Sequence, residues 1–239
     1  MAQNFDSERE NEAIARFHIL ILIGKSASGK DTIQKELVKN HGFVPLISTT
    51  SRPMREGEKN GVDYYFVSKL EFQKRILDND FLEYRAYNTL VDGKPDTWYY
   101  GTQKRELHGE FVTVLDPEGA RAFVNYYGPK HCSVCHVGAP DNMREERARL
   151  RGSFDKTEWD RRLLDDFVKF SPNELSDLVD YEVFNNDNLL PVIDRIMSVE
   201  NDRREFEDFV FSDIEDLDRS DNFDDHGDEE DGFEEDERE

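Results

Sequence analysis

The sequence predicts an α/β fold: a parallel sheet flanked by helices, with a mixed or antiparallel subdomain inserted into it. Three observations predict it. Near-continuous apolar runs recur along the chain, as strands buried on both faces of a parallel sheet require. Helical patterns lie between those runs. From about 48 to 110 the alternation stops, in a stretch rich in Gly, Tyr, Arg and short strand-like pieces that marks an insertion.

The elements follow in order. FHILILI (17–23) is the first buried strand, and Lys30–Asn40 carries a helical pattern closed by His41-Gly42, where glycine suits the C-terminal turn. FVPLI (43–47), FVTVL (111–115), SVCHV (133–137) and YEVF (181–184) supply further strands. A second helix begins at Ser68, whose spacing to Glu71 is that of a capping box. One long, arginine-dense helix is predicted after Ala139-Pro140-Asp141. Cys132-Ser-Val-Cys135-His136 matches a haem-attachment pattern, yet it lies in a core-strand pattern, so both thiols are expected to be buried and apolar in role.

Charge divides the chain. Its 239 residues hold 31 Lys+Arg against 54 Asp+Glu, a net −23, but residues 202–239 alone hold 20 acids and 4 bases. That segment carries −16 and leaves −7 on residues 1–201, which is ordinary for a soluble domain. The expected organisation is therefore a polar extension (1–15), one domain (16–201) and an acidic tail (202–239) expected to be disordered. Within the tail, apolar residues at 206, 209, 210, 214 and 217 fit a short amphipathic helix. The tail reads as a solvating appendage or as a dock for a basic protein partner. So acidic a chain excludes nucleic-acid polymers and anionic membranes as obvious partners. No apolar run reaches the roughly 18 residues of a membrane span. The first residues lack signal-peptide features, so a cytoplasmic setting is expected. With 36% apolar and 12% aromatic residues the chain can bury a core.

The first strand leads into Gly24-Lys-Ser26-Ala-Ser28-Gly29-Lys30-Asp31-Thr32 and then a helix. Glycine, four residues, then Gly-Lys is the spacing of a P-loop. Its backbone N–H groups and the positive helix end cradle phosphates, and the lysine reaches the β- and γ-phosphates. Gly24, Ser26, Ser28, Gly29, Lys30, Asp31 and Thr32 are thus candidate ATP-binding residues. The position after Lys30, where a hydroxyl usually meets Mg²⁺, holds Asp31, so Thr32 is the candidate hydroxyl ligand.

A second anion site is expected in Ser48-Thr-Thr-Ser-Arg52-Pro-Met-Arg55-Glu-Gly-Glu58-Lys-Asn-Gly-Val-Asp-Tyr64-Tyr-Phe66. Arg52 and Arg55 beside a hydroxyl cluster and a tyrosine form a fork for phosphate. This stretch closely resembles the GMP-binding signature of the guanylate kinase family, without a gap. The resemblance implies that Arg52, Arg55 and Tyr64 hold the acceptor phosphate and that Ser48 and Glu83, in Asp80-Phe-Leu-Glu83, read the guanine edge. It adds Glu58, Tyr100 and Thr102, the last two in Tyr99-Tyr100-Gly-Thr102, to the acceptor site, and Glu118 to the base. Asp116 is implied as a second-shell magnesium residue, and Asn186 lies in the segment similar to the donor-adenine site.

The resemblance runs through about residues 16–200. It implies a P-loop NTPase core, a helical lid over about 139–165 and catalytic roles for Lys30, Arg52, Arg147, Arg151 and Arg162, the last two eleven apart as in the family. The implied reaction is ATP- and Mg²⁺-dependent phosphoryl transfer to a nucleoside monophosphate, GMP or dGMP first. Two other readings fit: a catalytically silent module that binds phosphorylated partners, and a kinase for another monophosphate. Retention of Lys30 and the lid arginines favours the enzyme. About eight residues between Glu83 and Tyr99 are extra, and they border the acceptor pocket.

Overall fold

The structure, a computed structural model, describes residues 17–55, 57–91, 94–150 and 154–220. The chain divides into two compact units, at Arg195/Ile196. The first unit holds two sheets. In chain order it comprises β1 (Phe17–Ile23), α1 (Lys30–Asn40), β2 (Val44–Pro45), β3 (Thr49–Thr50), β4 (Tyr65–Phe66), α2 (Lys69–Leu77), β5 (Phe81–Val91), β6 (Lys94–Gln103) and β7 (Gly109–Val114). After these come α3 (Pro117–Tyr127), β8 (Cys132–Gly138), α4 (Asp141–Leu150), α5 (Lys156–Lys169), α6 (Pro172–Leu175), β9 (Tyr181–Phe184) and α7 (Leu189–Ser220).

The larger sheet has the order β2-β7-β1-β8-β9 and every pairing in it is parallel. β1 sits at its centre because its residues are buried on both faces, as the apolar run predicts. Ile19, Ile21 and Ile23 point to one side and pack with Leu46, Ala120, Phe123, Val134 and Leu178. Leu20 and Leu22 alternate to the other side, where α1 buries Ile33 and Leu37. Cys132 and Cys135 are buried and form no disulfide, and burial pushes the Cys132 thiol up to about 12, which makes it inert.

The interruption predicted from 48 to 110 is a second, mixed sheet of order β4-β3-β6-β5. β5 and β6 pair antiparallel from Phe81↔Gln103 to Val91↔Lys94, with a bulge between Phe81 and Glu83. The extra residues after Glu83 lengthen this hairpin. Ser68 caps α2 by accepting from the Glu71 N–H at 3.1 Å, as the capping-box spacing predicts.

The structure departs from expectation in two places. The arginine-dense segment forms two helices, α4 and α5, with Asp155 capping the second by accepting from Glu158 N–H at 2.7 Å. The expected tail boundary at 202 falls inside α7, which continues to Ser220, while residues 221–239 lie outside the described residues. In the second unit, Arg203 pairs with Glu200 and Glu207 one turn away on either side, which favours the helix over an unordered acidic tail. Among the described residues no helix is long and apolar enough to cross a membrane.

Candidate active site

The loop after β1 lies at the carboxyl end of the central strand, where parallel α/β sheets bind ligands. Two glycines are dictated by close approach. A Cβ on Gly24 would sit 2.4 Å from the Val137 carbonyl oxygen. Gly29, the N-cap of α1, has φ 102°, and a Cβ there would meet Asn185 Nδ2 at 2.2 Å. Lys30 Nζ donates back to the Gly24 and Lys25 carbonyls at 2.6 and 3.0 Å, so it spans the loop from inside. Ser28 is buried, while Asp31 and Thr32 form the exposed first turn of α1.

Both α4 and α5 grip this loop. Arg144 of α4 is 1% exposed; its Nη1 donates to the Ser26 carbonyl at 2.9 Å and to Asp166 of α5 at 3.1 Å. Asp166 in turn accepts from the Ser26 N–H at 2.9 Å and from its hydroxyl at 3.3 Å. Ser26, expected to face nucleotide, is thus held by a buried ion pair. Arg147 reaches the Ser28 carbonyl at 3.2 Å and Asp187 at 2.5 Å. Arg162 donates to Glu158 at 2.7 Å and lines a cavity of about 110 Å³ with Ser26 and Ala27. Arg151 lies outside the described residues.

Beside the loop, Asn186 is exposed, whereas Asn185 is buried and donates from Nδ2 to the Ser28 carbonyl at 2.9 Å. Strand alternation carried on from the buried Val183 would have singled out Asn185. Arg144 and Asp166 had no such signal: their pairing exists only once α4 and α5 pack.

The acceptor residues gather on the second sheet. Arg52 is 4% exposed, donates to Glu58 at 2.7 Å, and lies 5.6 Å from the Tyr64 ring centroid and 5.5 Å from that of Phe66. Glu58 also accepts from the Arg55 N–H at 2.7 Å. Glu58 thus joins Arg52 and the Arg55 backbone in one cluster. Arg55 is exposed. The Tyr64 and Tyr100 rings are edge-on at 5.9 Å. The Tyr64 phenol is raised chiefly by burial, then by Tyr100, with Arg52 opposing.

Ser48 and Thr102 hydroxyls meet at 3.0 Å, and Thr102 is the register partner of Glu83 across the β5–β6 pair. Burial raises the Glu83 carboxyl above the usual range, although Thr102 and Arg85 pull it down. A ligand that donates to Glu83 needs the ionised form, which is lost as pH falls through the raised value. Acceptor KM is therefore expected to climb on acidification, starting above the pH of an ordinary glutamate. Glu83→Gln should abolish that limb of the pH profile of kcat/KM, and a limb at the ordinary glutamate position would contradict the assignment.

Asp116 sits at the junction of β7 and α3. It caps α3 by accepting from the Gly119 N–H at 2.8 Å and also takes Arg85 at 3.3 Å and Lys169 at 3.2 Å. Burial alone would raise its carboxyl, but these partners hold it below the usual range. Engaged on three sides, it ties β5, α3 and α5 together. Glu118, in the first turn of α3, is exposed and pairs with Arg85 at 3.3 Å.

A triphosphate cradle on one sheet, an arginine–tyrosine site on another and arginines poised over the cradle serve one kind of chemistry: moving a phosphoryl group between two nucleotides. The class is that of P-loop nucleoside monophosphate kinases. The family model for guanylate kinase matches residues 16–109. The guanylate kinase of Sulfurimonas denitrificans is 32% identical over 208 residues, covering 81% of this chain and 95% of that one. That of Onion yellows phytoplasma is 30% identical over 189 residues, covering 76% and 84%. The crystal structure of guanylate kinase from Anaplasma phagocytophilum superposes with a TM-score of 0.52 at 24% identity, over 78% of this chain and 86% of that one, which shows the shared fold. The chain belongs to the guanylate kinase family and is a phosphotransferase of that kind.

Proposed function

We propose that the enzyme transfers the γ-phosphoryl group of ATP to GMP or dGMP by direct attack of an acceptor phosphate oxygen. The observation that carries this reading is the Ser48–Thr102–Glu83 cluster beside Arg52 and Tyr64. A carboxylate accepts from the N1–H and N2–H₂ of guanine, and a hydroxyl donates to O6; adenine presents the opposite pattern at these positions. Arg52 and Arg55, aimed by Glu58, then take the phosphate of the same nucleotide.

Transfer between two polyanions depends on position and electrostatics more than on covalent chemistry. Lys30 and the loop N–H groups hold the donor phosphates. Arg147 and Arg162 carry positive charge to the transferred group, each already at the loop or its adjoining cavity. Closing the lid excludes water, which would otherwise take the phosphoryl group. A magnesium ion would take the Thr32 hydroxyl, in the first turn of α1, as its protein ligand. When bound with ATP, it would neutralise phosphate charge.

Calorimetric titration tests the acceptor assignment. GMP should bind saturably and AMP much more weakly. Arg55→Ala should weaken GMP binding by about 1.5–3 kcal/mol, the worth of a hydrogen bond between charged groups. Equal binding of AMP would overturn the guanine reading; unaltered GMP binding in Arg55→Ala would overturn the fork.

A further inference from the structure

We propose that Tyr87, on the lengthened β5–β6 hairpin, is a positioning residue: it holds Glu158 of the lid and, through it, Arg161 and Arg162, so that acceptor arm and lid move into place together. The inference rests on the phosphotransferase activity and says what the extra hairpin residues do for it.

The Tyr87 hydroxyl donates to Glu158 Oε1 at 2.9 Å and accepts from Arg161 Nη2 at 2.8 Å. The guanidinium carbon of Arg161 lies 5.3 Å from the Tyr87 ring centroid. The same Glu158 Oε1 accepts from Arg162 Nε at 2.7 Å, and Oε2 accepts from Arg161 Nε at 2.8 Å. Arg162 is the lid arginine that shares a cavity with Ser26 and Ala27 of the phosphate loop. One phenol on the acceptor sheet is therefore two hydrogen bonds from an arginine beside the donor site.

Strand geometry extends the connection. Glu83, Arg85 and Tyr87 are two apart on β5, so they share a face. Glu83 belongs to the base cluster, Arg85 reaches Asp116, and Asp116 accepts from Lys169, the last residue of α5. Tyr87 meets Glu158 in the first turn of the same helix. β5 thus engages α5 at both ends. Half-exposed ion pairs of this kind add little to stability; what they supply is a fixed orientation of the lid arginines relative to the acceptor strand.

The test is a double-mutant cycle of Y87F and E158Q, measured by steady-state transfer from ATP to the monophosphate that the wild-type enzyme prefers. Y87F keeps the ring and removes only the hydroxyl, and thermal unfolding of each variant monitors folding. We expect kcat to fall about threefold to tenfold in Y87F, the worth of one hydrogen bond, with acceptor KM changed less than about twofold. In the E158Q background, Y87F should cost nothing further. An unchanged kcat in Y87F, or additive losses in the double variant, overturns the proposal. Preference for a monophosphate other than GMP overturns the guanine assignment while leaving this cycle fully interpretable.

Discussion

Lys30→Ala is expected to lower kcat by at least about a hundred- to a thousandfold, the usual loss when one preorganised donor aimed at developing charge is removed. Lys30 is the cation inside the phosphate loop, 2.6 Å from the Gly24 carbonyl and 3.0 Å from that of Lys25. Those two carbonyls hold the ammonium ready at the start of the cradle, so its charge is in place before nucleotide arrives. Arginine should not rescue it, because the planar guanidinium cannot replace a compact ammonium between two carbonyls. Steady-state assays with saturating ATP check the loss, and a normal rate in Lys30→Ala would refute the phosphate-loop assignment.

Asp166→Ala is expected to give the largest loss of stability among the site variants. It removes the buried carboxylate partner of the Arg144 guanidinium, itself only 1% exposed, and leaves it paired with the exposed Asp141 alone. Breaking such a pair typically costs about 3–5 kcal/mol. For a chain of this size that is a fall of roughly 6–20 °C in thermal midpoint. It also frees the Ser26 N–H and hydroxyl that Asp166 accepts from, so the loop loses its tie to α5. The double variant Arg144→Met/Asp166→Leu separates the two effects. Replacing a buried ion pair by apolar groups is often neutral or stabilising, so the midpoint should recover. The Ser26 carbonyl and N–H remain without their partners, so KM for ATP should stay raised. Recovery of both would show that the pair serves stability alone.

The contrast between these two residues shows what the sequence could and could not convey. Lys30 sits in a contiguous motif whose spacing is set by the phosphates it wraps, and Arg52, Arg55 and Tyr64 lie in a second unbroken stretch. Both were legible because the chemistry is local. Arg144 and Asp166 are 22 residues apart on different helices, and in sequence they look like two more charges in a highly charged segment. The protein partners of Glu58 and Asp116 are likewise not legible in the sequence, because motif position does not reveal which neighbour claims a carboxylate.

The fold divides in a similar way. β1 is readable over its full length because burial on both faces leaves apolar residues at every position but His18, whose ring bonds Ser133. FVPLI yields just Val44–Pro45 as strand: β2 is an edge strand, where a proline without an N–H is tolerated and pairing is short. The long hairpin β5–β6 was missed as such, since its polar, half-exposed residues carry no run of apolar positions to announce a strand.

The activity proposed for this acidic chain joins two nucleotide phosphates in one cleft, with guanine as the acceptor base. A coupled assay of ADP release from magnesium-ATP tests it most directly, run against GMP, dGMP, AMP, dTMP and dCMP. GMP and dGMP should support turnover far above the hydrolysis seen without acceptor, and the other three should not. Turnover with dTMP or dCMP in their place would keep the kinase and move the base; no turnover with GMP or dGMP would contradict the account.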